Sequence, residues 1–173
     1  SNSGLITLGY YGQDNLLWVK QGGRVLTRNA RMGVRDLASD NTARIEGAGS
    51  QWICGGDWEM GYSYRNLLSV ENGGLFACTN VYLSFSGVSS GNVIRAAGAG
   101  SIWTNSGPLQ VGTDEEAMNS GLEVFTGAVA YSQSAVIGSD AATGHYLRVC
   151  GAGAKFQNET FVWIGLTGSL NRL

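Results

Sequence analysis

The chain has 173 residues, a formal net charge of −2 and only 14% charged residues, against a usual share of about 25%. That balance disfavours nucleic-acid binding, which asks for a strong basic excess. No apolar run approaches the ~18 residues of a membrane span. Glycine is abundant (27 residues) and proline occurs once, which suits many short strands joined by tight turns rather than a disordered chain.

Along the chain one motif keeps returning. Ser1–Gly4 reads as a cloning remnant or disordered start, and Leu5–Leu8 closed by Gly9 is the first strand-like segment. Asn15, Asn41, Asn66, Asn92, Ser120, His145 and Asn171 then recur at intervals of 26, 25, 26, 28, 25 and 26. Two places after each anchor stands Leu17, Ala43, Leu68, Ile94, Leu122, Leu147 or Leu173. Four places after it stands Val19, Ile45, Val70, Ala96, Val124 or Val149. Apolar residues alternating with mostly polar ones are period-2 strands.

A second anchor is a small residue closing another strand: Gly9, Gly33, Gly61, Ser84, Gly112, Gly138 and Gly165. From each Asn-type anchor to the next small one the distances alternate 18, 20, 18, 20, 18, 20. The longer units carry GAGS at Gly47–Ser50 and Gly98–Ser101, and GAGA at Gly151–Ala154. No window shows a helical period.

A unit of about 26 residues cannot bury its own apolar face, but stacked units can. The predicted fold is all-β: a single-stranded right-handed parallel β-helix of six to seven coils, forming one domain over 5–173. Handedness is expected from the crossover rule for parallel strands. Both ends fall inside a repeat, so the domain is expected to be a fragment of a longer array. Its open ends would meet flanking repeats or another copy.

Stacking predicts ladders. Asn15, Asn41, Asn66 and Asn92 form one at a corner, with Ser120 and His145 expected to break it. Trp52, Phe76, Trp103 and Phe156 form an aromatic one, with Val25 in the coil before and Val129 or Tyr131 in the gap. Cys54 and Cys78 stack in adjacent coils as free thiols or a disulfide, while Cys150 stands alone.

The segments Asn41–Gly61 (NTARIEGAGSQWICGGDWEMG) and Asn92–Gly112 (NVIRAAGAGSIWTNSGPLQVG) resemble the N-x-L-x-V-x-G-A-G-S-x-W repeats of bacterial autotransporter passengers and related large surface proteins. The resemblance implies right-handed coils, export to the extracellular space or bacterial cell surface, and a role as adhesin or stalk.

Candidate sites are few. The only histidine, His145, sits in the Asn register, where a corner role outweighs a lone general base. Asp114-Glu115-Glu116 reads as a solvated loop, and short arcs build no deep cleft. No catalytic residue, metal site or cofactor is assigned. A binding face is the stronger reading. Tyr10, Tyr62 and Tyr64, with Tyr11 and Phe85, lie on the return arcs. Arg44, Arg95 and Arg148 point outward three places after alternate anchors, beside Trp18. Exposed aromatics suit sugars or protein partners, and an Arg row suits anionic glycans. The opposing reading packs the aromatics loop on loop and pairs the arginines with Glu46 and Glu71.

The expected function is therefore a non-catalytic, surface-displayed solenoid segment, with glycans or a host-cell or matrix protein as partners. The alternative is a carbohydrate-binding or polysaccharide-processing β-helix.

Overall fold

The computed structural model describes residues 4–173. Ser1–Ser3, expected above to be part of a cloning remnant or disordered start, lie outside them. Strand β1 (Leu5–Leu8) opens the chain, and each following coil contributes three strands. These are β2 (Leu16–Lys20), β3 (Arg24–Thr27) and β4 (Asn29–Met32); then β5 (Thr42–Glu46), β6 (Gln51–Cys54) and β7 (Asp57–Met60). Next come β8 (Leu67–Glu71), β9 (Leu75–Cys78) and β10 (Asn80–Leu83), then β11 (Val93–Ala97), β12 (Ile102–Asn105) and β13 (Pro108–Val111). The last are β14 (Gly121–Phe125), β15 (Val129–Ser132) and β16 (Ser134–Ile137), followed by β17 (Tyr146–Cys150), β18 (Lys155–Asn158) and β19 (Val162–Ile164).

Equivalent strands pair in parallel, coil on coil, into three sheets. Sheet I runs β1-β4-β7-β10-β13-β16-β19, sheet II β2-β5-β8-β11-β14-β17, and sheet III β3-β6-β9-β12-β15-β18. This is a β-solenoid of about six turns, each near 26 residues. At roughly 4.8 Å per coil, six intervals span about 30 Å.

The inward rows are those legible by period two. Sheet II contributes Leu17-Ala43-Leu68-Ile94-Leu122-Leu147 and Val19-Ile45-Val70-Ala96-Val124-Val149, each residue in register with the next. Most are fully buried, while Val149, in the last complete coil, is 41% exposed. Sheet III carries the aromatic row, in register as Val25-Trp52-Phe76-Trp103-Ala130-Phe156. The gap is filled by Ala130, not by Val129 or Tyr131, which both face outward. Ala130 stands ten places after Ser120, as Val25 and Phe76 stand ten places after Asn15 and Asn66, so the short-coil offset itself puts it in the row. Phe76 meets Trp52 and Trp58 edge-on, at 5.8 and 5.6 Å. Such pairs add to the value of their buried area.

Two corner devices explain the alternating coil lengths. In the short coils, Gln21-Gly22 (φ 55° and 77°) and Asn72-Gly73 (φ 51° and 91°) make two-residue turns. These turns are closed by Gly23 N–H to Lys20 O (2.9 Å) and Gly74 N–H to Glu71 O (3.0 Å). In the long coils, Gly47 and Gly49, then Gly98 and Gly100, hold positive φ. The serine of each GAGS serves the short turn of the coil before it. Gly22 N–H donates to Ser50 Oγ and Gly73 N–H to Ser101 Oγ, both at 3.1 Å. In the third copy Ala154 has no hydroxyl, and Gly127 N–H donates instead to Ala152 O at 3.0 Å.

The polar corner is one continuous ladder. Asn15, Asn41 and Asn66 each donate a side-chain N–H to the Oδ1 of the next asparagine, at 2.8, 3.0 and 3.1 Å. Each also sends its backbone N–H to the same oxygen, at 3.1, 3.0 and 2.9 Å. Ser120 and His145 do not break it. Asn92 N–H donates to Ser120 Oγ (3.1 Å), Ser120 N–H to His145 Nδ1 (3.2 Å), and His145 N–H to Asn171 Oδ1 (2.9 Å). What the ladder needs at each rung is an acceptor for a buried N–H, and a hydroxyl or a neutral imidazole supplies one.

The two sequence anchors also touch. A Cβ on Gly9, Gly33, Gly112 or Gly138 would overlap the side chain of Asn41, Asn66, His145 or Asn171 respectively, and all four glycines have positive φ. The small residue recurs because the ladder side chain of the next coil lies against its Cα.

Candidate functional site

The outer face of sheet II gathers most of the charged candidates. Three places after each anchor, the outward row reads Trp18-Arg44-Ser69-Arg95-Glu123-Arg148 in continuous register. The neighbouring row reads Lys20-Glu46-Glu71-Ala97, with Phe125 and Cys150 continuing it. Period two puts both rows outside, because the residues between them fill the core.

These side chains pair along the coil axis. Arg44 Nη2 lies 2.6 Å from Glu71 Oε2, and its Nε 3.3 Å from Glu46 Oε2. The latter is an ion contact rather than an aligned hydrogen bond. Ser69 Oγ donates a short hydrogen bond to Glu71 Oε1. Arg95 places Nε and Nη2 on a single oxygen of Glu123, at 2.8 and 2.7 Å. Arg148 Nη1 approaches the other oxygen of Glu123 only to 3.7 Å.

Aromatic rings flank the cations. Trp18, 44% exposed, donates its indole N–H to Glu46 Oε2 at 3.2 Å. Lys20 Nζ sits 3.8 Å from its ring centre and the Arg44 guanidinium 5.4 Å. Arg95 lies 5.7 Å from the Phe125 ring. Beyond Arg148 the face opens into a groove of about 560 Å³ lined by Glu123, Tyr146, Arg148 and Arg172.

Arg44 pairs with Glu46 and Glu71 as the opposing reading expected, but Arg95 and Arg148 share Glu123. Glu123 was not singled out from sequence. It was open to the same arithmetic, since it stands three places after Ser120. A second corner ladder was missed as well: Asp57 N–H donates to Asn29 Oδ1 (3.1 Å), and Asn80 Nδ2 to Asp57 Oδ1 (2.7 Å). All three residues stand four places before a small-residue anchor.

The arc tyrosines do not form one row. Tyr10 packs on Tyr11 (4.7 Å) and accepts a hydrogen bond from Arg35 Nη2 at 3.1 Å. Two coils on, Tyr62 packs on Phe85 (5.1 Å), which also meets Tyr82 (6.0 Å). The Phe85 ring covers Gly61, where a Cβ would collide with it. Tyr64 is half-buried at the far end of the arc and bridges Ser90 through its backbone. Tyr10 and Tyr62 are thus exposed members of separate loop-on-loop clusters.

His145 is fully buried. Its Nδ1 takes the Ser120 N–H, and Nε2 lies 3.1 Å from Ala117 O. A neutral ring protonated on Nε2 satisfies both contacts. Burial pushes its pKa down, against weaker opposing pulls from the Ala117 and Ser120 backbone. Cys54 and Cys78 are buried and free, and Cys150 is exposed and free. The two buried thiols aim at different coils: Cys54 Sγ at Arg28 O and Asp57 O (3.5 and 3.4 Å), Cys78 Sγ at Thr104 O (3.8 Å). Burial raises both thiol pKa values, that of Cys78 well above the ordinary one. Glu116 N–H is taken by Asp114 Oδ1 at 3.0 Å, so that acidic run caps its own turn.

Sheet III presents an outer face of another kind. Gln51, Ile53, Leu75, Ala77, Ile102, Thr104, Val129 and Tyr131 cover its four central coils without a charge. Among the described residues no helix is long and apolar enough to cross a membrane.

Together the three sheets and their ladders define the class: a repeat protein built as a parallel β-solenoid. No family model matches the chain, and neither a curated protein nor a solved structure matches it.

Proposed function

We propose that this chain is a non-catalytic, surface-displayed solenoid segment that acts as an adhesin or stalk. One observation carries the reading: each central coil buries its inner rows and hands its corner bonds to the next, so the rod holds outer faces at fixed spacing. Repeat architectures present such extended surfaces to partners. The resemblance of Asn41–Gly61 and Asn92–Gly112 to surface-protein repeats supports export to the bacterial cell surface or extracellular space. Glycans and host-cell or matrix proteins are the partners this reading implies.

A second reading, a carbohydrate-processing β-helix, draws on the convergence of Trp18, Arg44, Glu46, Ser69 and Glu71. Its difficulty is that Glu46 and Glu71 stand side by side on a flat face, both turned to one guanidinium. Cleavage of a glycosidic bond uses two carboxyl groups set on either side of the bond.

The test is antibody labelling of intact against permeabilised cells of the source organism. Labelling of intact cells is the expected result, and labelling only after permeabilisation refutes surface display. Incubation with a polysaccharide panel then separates the two readings: released oligosaccharide would make the protein an enzyme.

A further inference from the structure

The geometry points to sheet II as the docking face for a linear acidic polysaccharide, specifically an extended two-fold β-1,4-linked polyuronate lying along the solenoid axis. This rests on the adhesin reading above and names the ligand class.

The first support is charge. The outer face of sheet II carries Lys20, Arg44, Arg95, Arg148 and, in register beyond Tyr146, Arg172. Against these five cations stand three acids, Glu46, Glu71 and Glu123, so the face is +2. The whole chain is −2, and the remaining surface therefore carries −4. A cationic face on an anionic rod selects and orients an anionic ligand.

The second support is spacing. Arg44, Arg95 and Arg148 occupy the same row in alternate coils. Two rises of about 4.8 Å put successive Cα atoms of this row roughly 10 Å apart, with Arg95 and Arg148 both turned toward Glu123 between them. In a two-fold β-1,4 chain every second ring turns its carboxylate to the same side, and two rings span about that length. Rod and ligand then repeat together, and five successive rings carry the three same-side carboxylates that would meet Arg44, Arg95 and Arg148.

The third support is pre-organisation. Arg95 spends Nε and Nη2 on one oxygen of Glu123, and a guanidinium has five N–H donors in a fixed fork. The glutamates hold Arg44 and Arg95 in place, which lowers the ordering cost of binding. Arg148, 62% exposed and 3.7 Å from its nearest carboxylate oxygen, is the least committed of the three row arginines. Trp18, Phe125 and Tyr146 supply apolar surface beside the charges for sugar rings.

The experiment is calorimetric titration of the chain with β-1,4-mannuronate hexamers, with cellohexaose as uncharged control and poly-L-glutamate as protein-like control. The expected result is binding of the mannuronate hexamer, none of cellohexaose, and weaker binding of polyglutamate. Arg44→Gln, Arg95→Gln and Arg148→Gln should each weaken it by roughly fivefold to tenfold. Arg31→Gln, a control on sheet I, should not change it. Arg148→Gln disturbs the fold least, so it alone keeps the test valid if the other two variants misfold. Absence of hexamer binding overturns the proposal, as does binding unchanged by Arg148→Gln. Equal affinity for polyglutamate overturns it in favour of an acidic protein partner. Each of these failures leaves the surface-labelling result standing, so loss of the ligand assignment is distinguishable from loss of the adhesin reading.

Discussion

Replacing Asn66 by alanine tests the corner ladder at its centre. Asn66 Oδ1 accepts the Asn41 backbone N–H and Asn41 Nδ2, both at 3.0 Å. Its own Nδ2 donates to Asn92 Oδ1 (3.1 Å) and Ser63 Oγ (2.9 Å). Alanine removes all four bonds at a site that is 1% exposed. Asn41 Nδ2 retains Ala38 O at 2.6 Å, and Ser63 Oγ also retains Ala38 O at 2.8 Å. The Asn41 N–H is left buried without a partner, at a cost of ~1–3 kcal/mol, and the other bonds were each worth ~0.5–1.5 kcal/mol. The expected loss is about 3–5 kcal/mol, a large share of the ~5–15 kcal/mol of a typical domain. Urea unfolding followed by the fluorescence of buried Trp52, Trp58 and Trp103 reads it. Hydrogen exchange should show the Asn41 amide losing protection first, since the amide of residue 66 keeps Asn92 Oδ1 as its acceptor. Asn66→Ser should cost less, because Ser120 already fills this role with a hydroxyl. A loss below about 1 kcal/mol for Asn66→Ala would refute the ladder as a main support of the corner.

Other outcomes follow from the same geometry. Gly112→Ala should destabilise more than Gly22→Ala in urea unfolding. Both sites have positive φ, worth ~1–2 kcal/mol with a side chain, but only the Gly112 Cβ would strike a neighbour, the His145 ring. Stability should fall as pH drops below the ordinary histidine value near 6.5. Burial keeps folded His145 neutral while the unfolded chain takes up a proton, so the contribution is full above that pH and is lost toward the lower folded pKa. His145→Asn should flatten that limb of a pH-dependent melting curve. Ile45→Asp, placing a charge in a fully buried row, should abolish the melting transition of several adjacent coils together rather than of one. A thiol reagent should modify Cys150 quickly in the native protein, and Cys54 and Cys78 only on unfolding.

The fold was legible because its strongest constraint repeats. A residue stacked on its equivalents must fit the same slot in every coil, so Leu68, Ile94 and Leu122 betray the slot by spacing alone. Where sequence reasoning slipped, the slot was defined by function of an atom rather than by residue type. Ser120 and His145 do not look like asparagine, yet each offers an acceptor at the right height. Ala130 keeps the short-coil offset of Val25 and Phe76 but lacks their bulk, so side-chain size points to Val129 or Tyr131 where register points to Ala130. Tyr10 and Tyr62 share their spacing from the small anchor, but the coil between them carries Val34 at that place, and Tyr62 packs instead on Phe85 of the coil beyond.

The outer faces obey no such rule, and that contrast bears on function. Inside, replacing one residue disturbs three coils, so the sequence stays near its repeat. Outside, a residue in a solenoid meets only solvent and its two neighbours along the row, and packing leaves it free to vary. Sheet III is uncharged on its outer face over the four central coils, while sheet II carries arginine in every second coil from Arg44 to Arg148, with a serine or an acid between. All three arginines stand in the longer coils, so they follow the two-coil period of the corners, but the corners do not dictate which residue points outward there. Mutual neutralisation does not dictate it either, because one acid per arginine would do, and Arg148 shares Glu123 with Arg95. A ligand with a repeat near 10 Å, as proposed above, would match the two-coil period that the alternating corners build and would use the surplus charge.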